Sequence, residues 1–205
     1  AQRGWKVLLL ERGKLRGRDQ EWNISRKELR EFVELGLLTD KQLETAIVTE
    51  YNPARVGFHG HPDLWIEGVL NVGVDPVYLL DTLRKRFIKA GGELCEGVSF
   101  GGALVHPDGV TVKVSADGED AAIETRLLID AMGHRSPIVA QARDGAAPDS
   151  ICMVVGSCPT GYIEAPNNTG HLIAHNPPIP NPRQHFCATF PPRPRCPTHL
   201  SPYTH

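Results

Sequence analysis

Val7-Leu8-Leu9-Leu10 is an unbroken apolar run that leads straight into Glu11-Arg12-Gly13. A run with no polar alternation is the mark of a parallel strand covered on both faces, and glycine directly after it forces a turn. A carboxylate at the C-terminal end of such a strand is placed to accept hydrogen bonds from the 2′- and 3′-hydroxyls of a nucleotide ribose. Glu11, with its neighbour Arg12, is therefore the first candidate binding position. A complete nucleotide-binding unit opens with a strand and a G-x-G-x-x-G turn roughly 20 residues before that acid. Only Ala1-Gln2-Arg3-Gly4 precedes Trp5, so the chain is expected to be a piece of a longer protein.

The 205 residues suffice for one large domain, or for one domain and part of another. A net charge of -2 provides no field that would attract nucleic acid or an anionic membrane, so no nucleic-acid partner is expected. No apolar stretch reaches the ~20 residues that span a bilayer. The 5 cysteines are widely spaced, with no C-x-x-C pair, and read as reduced thiols.

Periodicity predicts an amphipathic helix over Ile24–Leu35, ended by Gly36. A second, short helix is capped by Thr39 or Asp40 and leads into a strand over Ala46–Tyr51. Phe58–Pro62 reads as a glycine-containing loop and Leu64–Leu70 as a short strand. Asp75-Pro76 is a strong helix start, with Val77, Leu79, Leu80, Leu83, Phe87 and Ile88 on one face and Gly91-Gly92 as the stop. A strand over Glu93–Phe100 follows. Leu104–His106, Val110–Val114 and Ala122–Ile129, separated by turns at Pro107-Asp108-Gly109 and Asp117-Gly118, predict an antiparallel meander. Its last apolar stretch, Leu127–Gly133, is expected to stay extended as a strand.

From His171 to His205 the chain holds 9 of its 17 prolines and 5 of its 9 histidines, and no Asp or Glu. Proline fixes φ and removes a donor, so an irregular tail without central strands is expected. Residues 1–165 are read as one domain and 166–205 as that tail.

Taken in order, these segments resemble the FAD-binding fold of lycopene cyclase-like and aromatic-hydroxylase-like flavoproteins. The nearest echo is to plant-type lycopene cyclase-like proteins, over about residues 4 to 165. Gly4–Gly13 matches the family's second strand with its ribose-binding acid. Pro76–Val98 matches the helix and strand that bring a main-chain contact to adenine near Val98. Ile129–Pro137 resembles the strand and A-x-G-x-x-S turn that pass close to the flavin pyrophosphate, at Gly133.

The resemblance implies an α/β fold: a partial Rossmann-like FAD-binding domain with an inserted antiparallel β meander, lacking the first strand and the Gly-rich loop. It implies FAD in the complete parent, a small apolar or aromatic substrate, and a chloroplast location. Glu11, Arg12, Val98 and Gly133 are the expected cofactor-binding residues, and no catalytic residue is assigned. The chain departs from the pattern in three places. Pro76 stands where the hydroxylases have an arginine, Met132 replaces the aspartate before Gly133, and the late glycine-aspartate pair has only Asn168-Thr169-Gly170-His171 as its counterpart. These departures imply weak or absent FAD binding by this chain.

Blander readings stand beside these. Glu11 alone would be a solvated charge, and Gly133 with Ser136 a plain strand-to-helix turn. His59-Gly60-His61 has the spacing to share a metal but lacks a third ligand, so no metal is expected. Asp63 and Glu67 invite a general-acid role, since cyclases of this type protonate an alkene, yet default to solvated charges. Two other readings remain open: a non-catalytic remnant that binds no flavin, and a nicotinamide-only dehydrogenase. The long gap between Glu11 and the next parallel strand disfavours the dehydrogenase.

Overall fold

In a computed structural model of the chain, the described residues are 1–18, 22–147, 170–175, 187–189 and 200–201. They divide into two units, one formed by Ala1–Leu15 with Phe87–Cys152 and the other by Arg16–Arg86 with Met153–His205. The expected domain boundary at 165/166 and the cysteines 152, 158 and 196 lie outside the described residues.

In the first unit, strand β1 (Leu8–Glu11) heads the chain. The second unit opens with β2 (Trp22–Ile24), helix α1 (Arg26–Glu34) and helix α2 (Asp40–Ala46). Ile24 therefore belongs to a strand, not to the helix expected to begin there. Ser25 sets the boundary, because its extended backbone and its side chain accepting from Glu28 N–H form a capping box with the Glu28 carboxylate. Thr39 and Gln42 repeat the device at α2. Then come β3 (Ile47–Glu50), β4 (Ala54–Phe58), β5 (Leu64–Ile66), β6 (Val72–Val74) and helix α3 (Pro76–Lys89). Asp75 Oδ1 accepts from Val77 N–H at 2.9 Å and Tyr78 N–H at 3.1 Å, which caps α3 as its Asp-Pro start predicts.

Strand β6 lies between β2 and β3 in an antiparallel sheet. Its Val72 and Val74 join Ile24, Leu29, Leu38, Leu43 and Leu79 in the buried core of this unit, with Phe32, Val33, Ile47 and Leu83 packed against it. Burying each such side chain stabilises by about 1.5 to 3 kcal/mol.

The first unit resumes at Phe87, in the last turn of α3. Gly91, at φ +81°, turns the chain out of the helix, and β7 (Glu93–Glu96) pairs in parallel with β1. The single strand expected over Glu93–Phe100 is broken, because Gly97 takes φ +76° and starts β8 (Val98–His106) in a new direction. Strands β8, β9 (Gly109–Ala116) and β10 (Glu119–Thr125) form the expected meander, with Asp117 and Gly118 both at positive φ in the hairpin turn. Strand β10 stops at Thr125, however. Leu127 and Ile129, 60% and 78% exposed, belong to no sheet among the described residues, contrary to the extended strand expected there. An apolar strand needs a neighbour to satisfy its N–H and C=O groups, and none of the described strands lies beside this one. A 3₁₀ turn at Gly133–Arg135 and helix α4 (Pro137–Ala142) follow.

The largest departure from expectation concerns 166–205, in the second unit. Strand β11 (Gly170–His175) is not irregular. It is the middle strand of the order β13-β12-β11-β4-β5, parallel to β4 and antiparallel to β12 (Cys187–Thr189), which pairs with β13 (Leu200–Ser201). The prolines of this segment are clustered, and Gly170–His175 and Cys187–Thr189, which contain none, are free to pair. The rest of the segment lies outside the described residues.

Candidate functional site

Glu11 closes β1, and register places it directly beside Glu96 at the end of β7. In-register residues on neighbouring strands share a face, so two carboxylates stand together at the C-terminal edge of a parallel pair. Each holds part of the turn that follows β1: Glu11 Oε1 accepts from Gly13 N–H at 2.8 Å, and Glu96 Oε1 accepts from Leu15 N–H at 2.8 Å. Gly13 C=O in turn accepts from Gly97 N–H at 3.2 Å. One oxygen of each carboxylate is thereby fixed by main chain. Among the described residues, neither Glu11 Oε2 nor Glu96 Oε2 has a hydrogen-bonding partner.

Arg12 is exposed in this turn, and Val98, half-buried, begins β8 directly after Gly97. The structure thus brings Glu11, Arg12 and Val98 to one end of the β1–β7 pair. Glu96 was missed by sequence reasoning. Nothing local marked it, since its place beside Glu11 comes from the pairing of β1 with β7.

Gly133 opens the 3₁₀ turn that precedes α4. It has φ +68° and open space where a side chain would stand. Asp130 ties its turn together, accepting from Met132 N–H at 2.9 Å and from Ser136 Oγ at 2.5 Å. The Ser136 hydroxyl, followed by Met132 N–H, holds the Asp130 carboxyl below the usual carboxylate range. Ser136 is buried and its Oγ also accepts from Ile138 and Val139 N–H, capping α4. Among the described residues no hydrogen bond links this turn to Glu11.

The remaining candidates belong to the second unit. Asp63 is not a free acid: Arg55 donates to it from Nε at 2.7 Å and from Nη2 at 2.9 Å, which holds its carboxyl low. Glu67, His59 and His61 are exposed, the histidines flanking Gly60 in the turn after β4. No group of three His, Cys, Asp or Glu side chains converges among the described residues. Among those residues, too, no helix is long and apolar enough to cross a membrane.

No protein-family model and no curated protein sequence matches this chain. Solved structures do. CmlS, a flavin-dependent halogenase, is 22% identical over 69% of this chain and 27% of that one, with a TM-score of 0.55. Aklavinone-11 hydroxylase, solved with FAD and aklavinone, is 16% identical over 69% of this chain and 31% of that one, with a TM-score of 0.54. CabE, an aromatic hydroxylase from angucycline biosynthesis, is 20% identical over 69% and 29% respectively, with a TM-score of 0.51. The chain spans less than a third of the length of each. Over the matched part it has the α/β fold of these flavin-dependent enzymes.

Proposed function

We propose that the chain is part of an FAD-dependent oxidoreductase acting on a small apolar or aromatic substrate. The observation that carries this reading is the parallel pairing of β1 with β7, which sets the Glu11 carboxylate at the C-terminal edge where a nucleotide ribose is held. The fold shared with a flavin-dependent halogenase and aromatic hydroxylases supports it.

The residues fit the adenosine half of the cofactor. Glu11 Oε1 is occupied by Gly13 N–H, which orients the carboxylate and leaves Oε2 to accept from a ribose hydroxyl. Arg12 offers a cation in the same turn, and Val98 a main-chain contact to adenine. Gly133, with no side chain and open space around it, allows a pyrophosphate to approach the main chain closely. Bound FAD supplies the redox chemistry, while the protein binds and orients it. The narrower reading, a plant-type lycopene cyclase-like protein of the chloroplast, rests on the order of these three motifs alone.

A second reading, a non-catalytic piece that binds no flavin, is favoured by Leu127 and Ile129, which are exposed and belong to no sheet among the described residues. A flavin fluorescence titration separates the two. We expect weak or no binding by the 205-residue chain, and binding by a form carrying an upstream strand, G-x-G-x-x-G turn and helix. Failure of the extended form to bind FAD would sink the flavoprotein reading.

A further inference from the structure

His171 and Arg55 are register partners on the parallel strands β11 and β4, so imidazole and guanidinium occupy the same face of the sheet. Arg55 is committed to Asp63 by two hydrogen bonds. Gly57 makes that possible, since a Cβ there would lie 2.7 Å from Asp63 Oδ1. Asp63, the carboxylate that favours a protonated His171, is therefore already spent on Arg55.

Among the described residues, the other strands beside β11 offer His171 no compensating charge. On β12, Thr189 stands opposite it and Cys187 opposite Ala174. Beyond the bulge, His175 stands opposite Phe58 at the far end of the strand. The Tyr51 ring, against which Gly170 packs, has its hydroxyl pushed up by burial and stays protonated.

We propose that Gly170–His175 is a proton-released strap, seated on β4 while His171 is a neutral imidazole and lifted from it when His171 takes a proton beside Arg55. Burial first, and then Arg55, hold His171 below the ordinary imidazole value, with Asp63 opposing them in part. The released strand binds the proton more readily than the seated one. Docking is accordingly full above the ordinary imidazole value of about 6.5 and weakens as pH falls below it. The Gly170 contact with Tyr51 fixes where the strap seats, and His171 fixes when.

Hydrogen–deuterium exchange over residues 170–175 of the full chain, corrected for intrinsic rates, tests this at pH 7.5 and pH 5. The expected result is an opening equilibrium that rises by up to about tenfold per pH unit below ~6.5. That rise should vanish in His171→Gln and persist in His175→Gln. No acid-dependent rise in the wild type, its survival in His171→Gln, or its loss in His175→Gln would overturn the proposal. Exchange in α1 serves as the internal reference for folding. Should His171→Gln also open α1, the NMR titration of the His171 ring in the wild type decides instead. A midpoint below the ordinary value that coincides with strap release supports the proposal, and a midpoint at or above that value overturns it.

Discussion

Glu11 and Glu96 stand side by side on two parallel strands, and each carboxylate accepts one main-chain N–H from the turn that leaves β1. Two like charges in adjacent register repel. Here each is partly offset by the N–H it accepts, so the pair shapes the turn and keeps one oxygen of each carboxylate without a hydrogen-bonding partner among the described residues.

Glu11→Ala, in the form carrying the upstream nucleotide-binding turn, should weaken FAD binding by about 1.5 to 3 kcal/mol, the scale of a hydrogen bond to a charged group. Glu11→Gln should be milder, because it keeps an acceptor for Gly13 N–H. Unchanged affinity of the alanine variant in a fluorescence titration would return Glu11 to a solvated charge.

Glu96→Ala should destabilise the chain by about 1 to 2 kcal/mol, since Leu15 N–H loses its acceptor. Glu96→Gln retains the acceptor and relieves the repulsion with Glu11, so it should fall within about 0.5 kcal/mol of the parent. Urea denaturation of the two variants makes the comparison. Equal losses would mean that the charge of Glu96, rather than its hydrogen bond, holds the turn.

Ser25→Ala should cost about 1 kcal/mol by removing the cap of α1. The cap also has a pH signature. The Ser25 hydroxyl, followed by Ser25 N–H, holds the Glu28 carboxyl below its usual range. Its contribution is present above the ordinary carboxylate value and is lost as pH falls through the lowered one. The gap between the acid unfolding curves of wild type and Ser25→Ala should narrow at low pH, because the Glu28 N–H bond to Ser25 Oγ alone survives protonation, and a constant gap down to pH 2 would contradict this account.

Ending the chain after Thr169 should destabilise the second unit. Tyr51 is 2% exposed, and Gly170 is so close to its ring that a side chain at 170 would overlap it. Uncovering such a ring costs about 1.5 to 3 kcal/mol. A thermal melt of the shortened chain that matches the full one would show that β11 adds nothing to the fold.

Local signals were legible and distant pairings were not. The caps at Thr39 and Asp75 and the Asp117-Gly118 turn act within a few residues, so sequence alone places α2, α3 and the meander closely, whereas periodicity passes over the Ser25 cap and begins α1 too early, inside β2. Strand β6, with only Val72-Gly73-Val74, is too short for any period to appear, and its place comes from two flanking strands. Strand β11 was hidden by proline counts taken over the whole tail. Of the site, Glu11 was legible because strand end and acid coincide. Glu96 became visible only when parallel pairing brought together segments some 80 residues apart, with Glu96 Oε1 reaching Leu15 across 81 positions.

The β1–β7 pair also bears on how this chain behaves in a test tube. Leu8 and Leu9 point to opposite faces of β1 and are 36% and 37% exposed, and the outer edge of β1 has no partner among the described residues. An apolar edge strand of this kind, Val7-Leu8-Leu9-Leu10, is a template on which like strands of other molecules stack. A lysine at Leu9 is accordingly the natural gatekeeper to place on this edge.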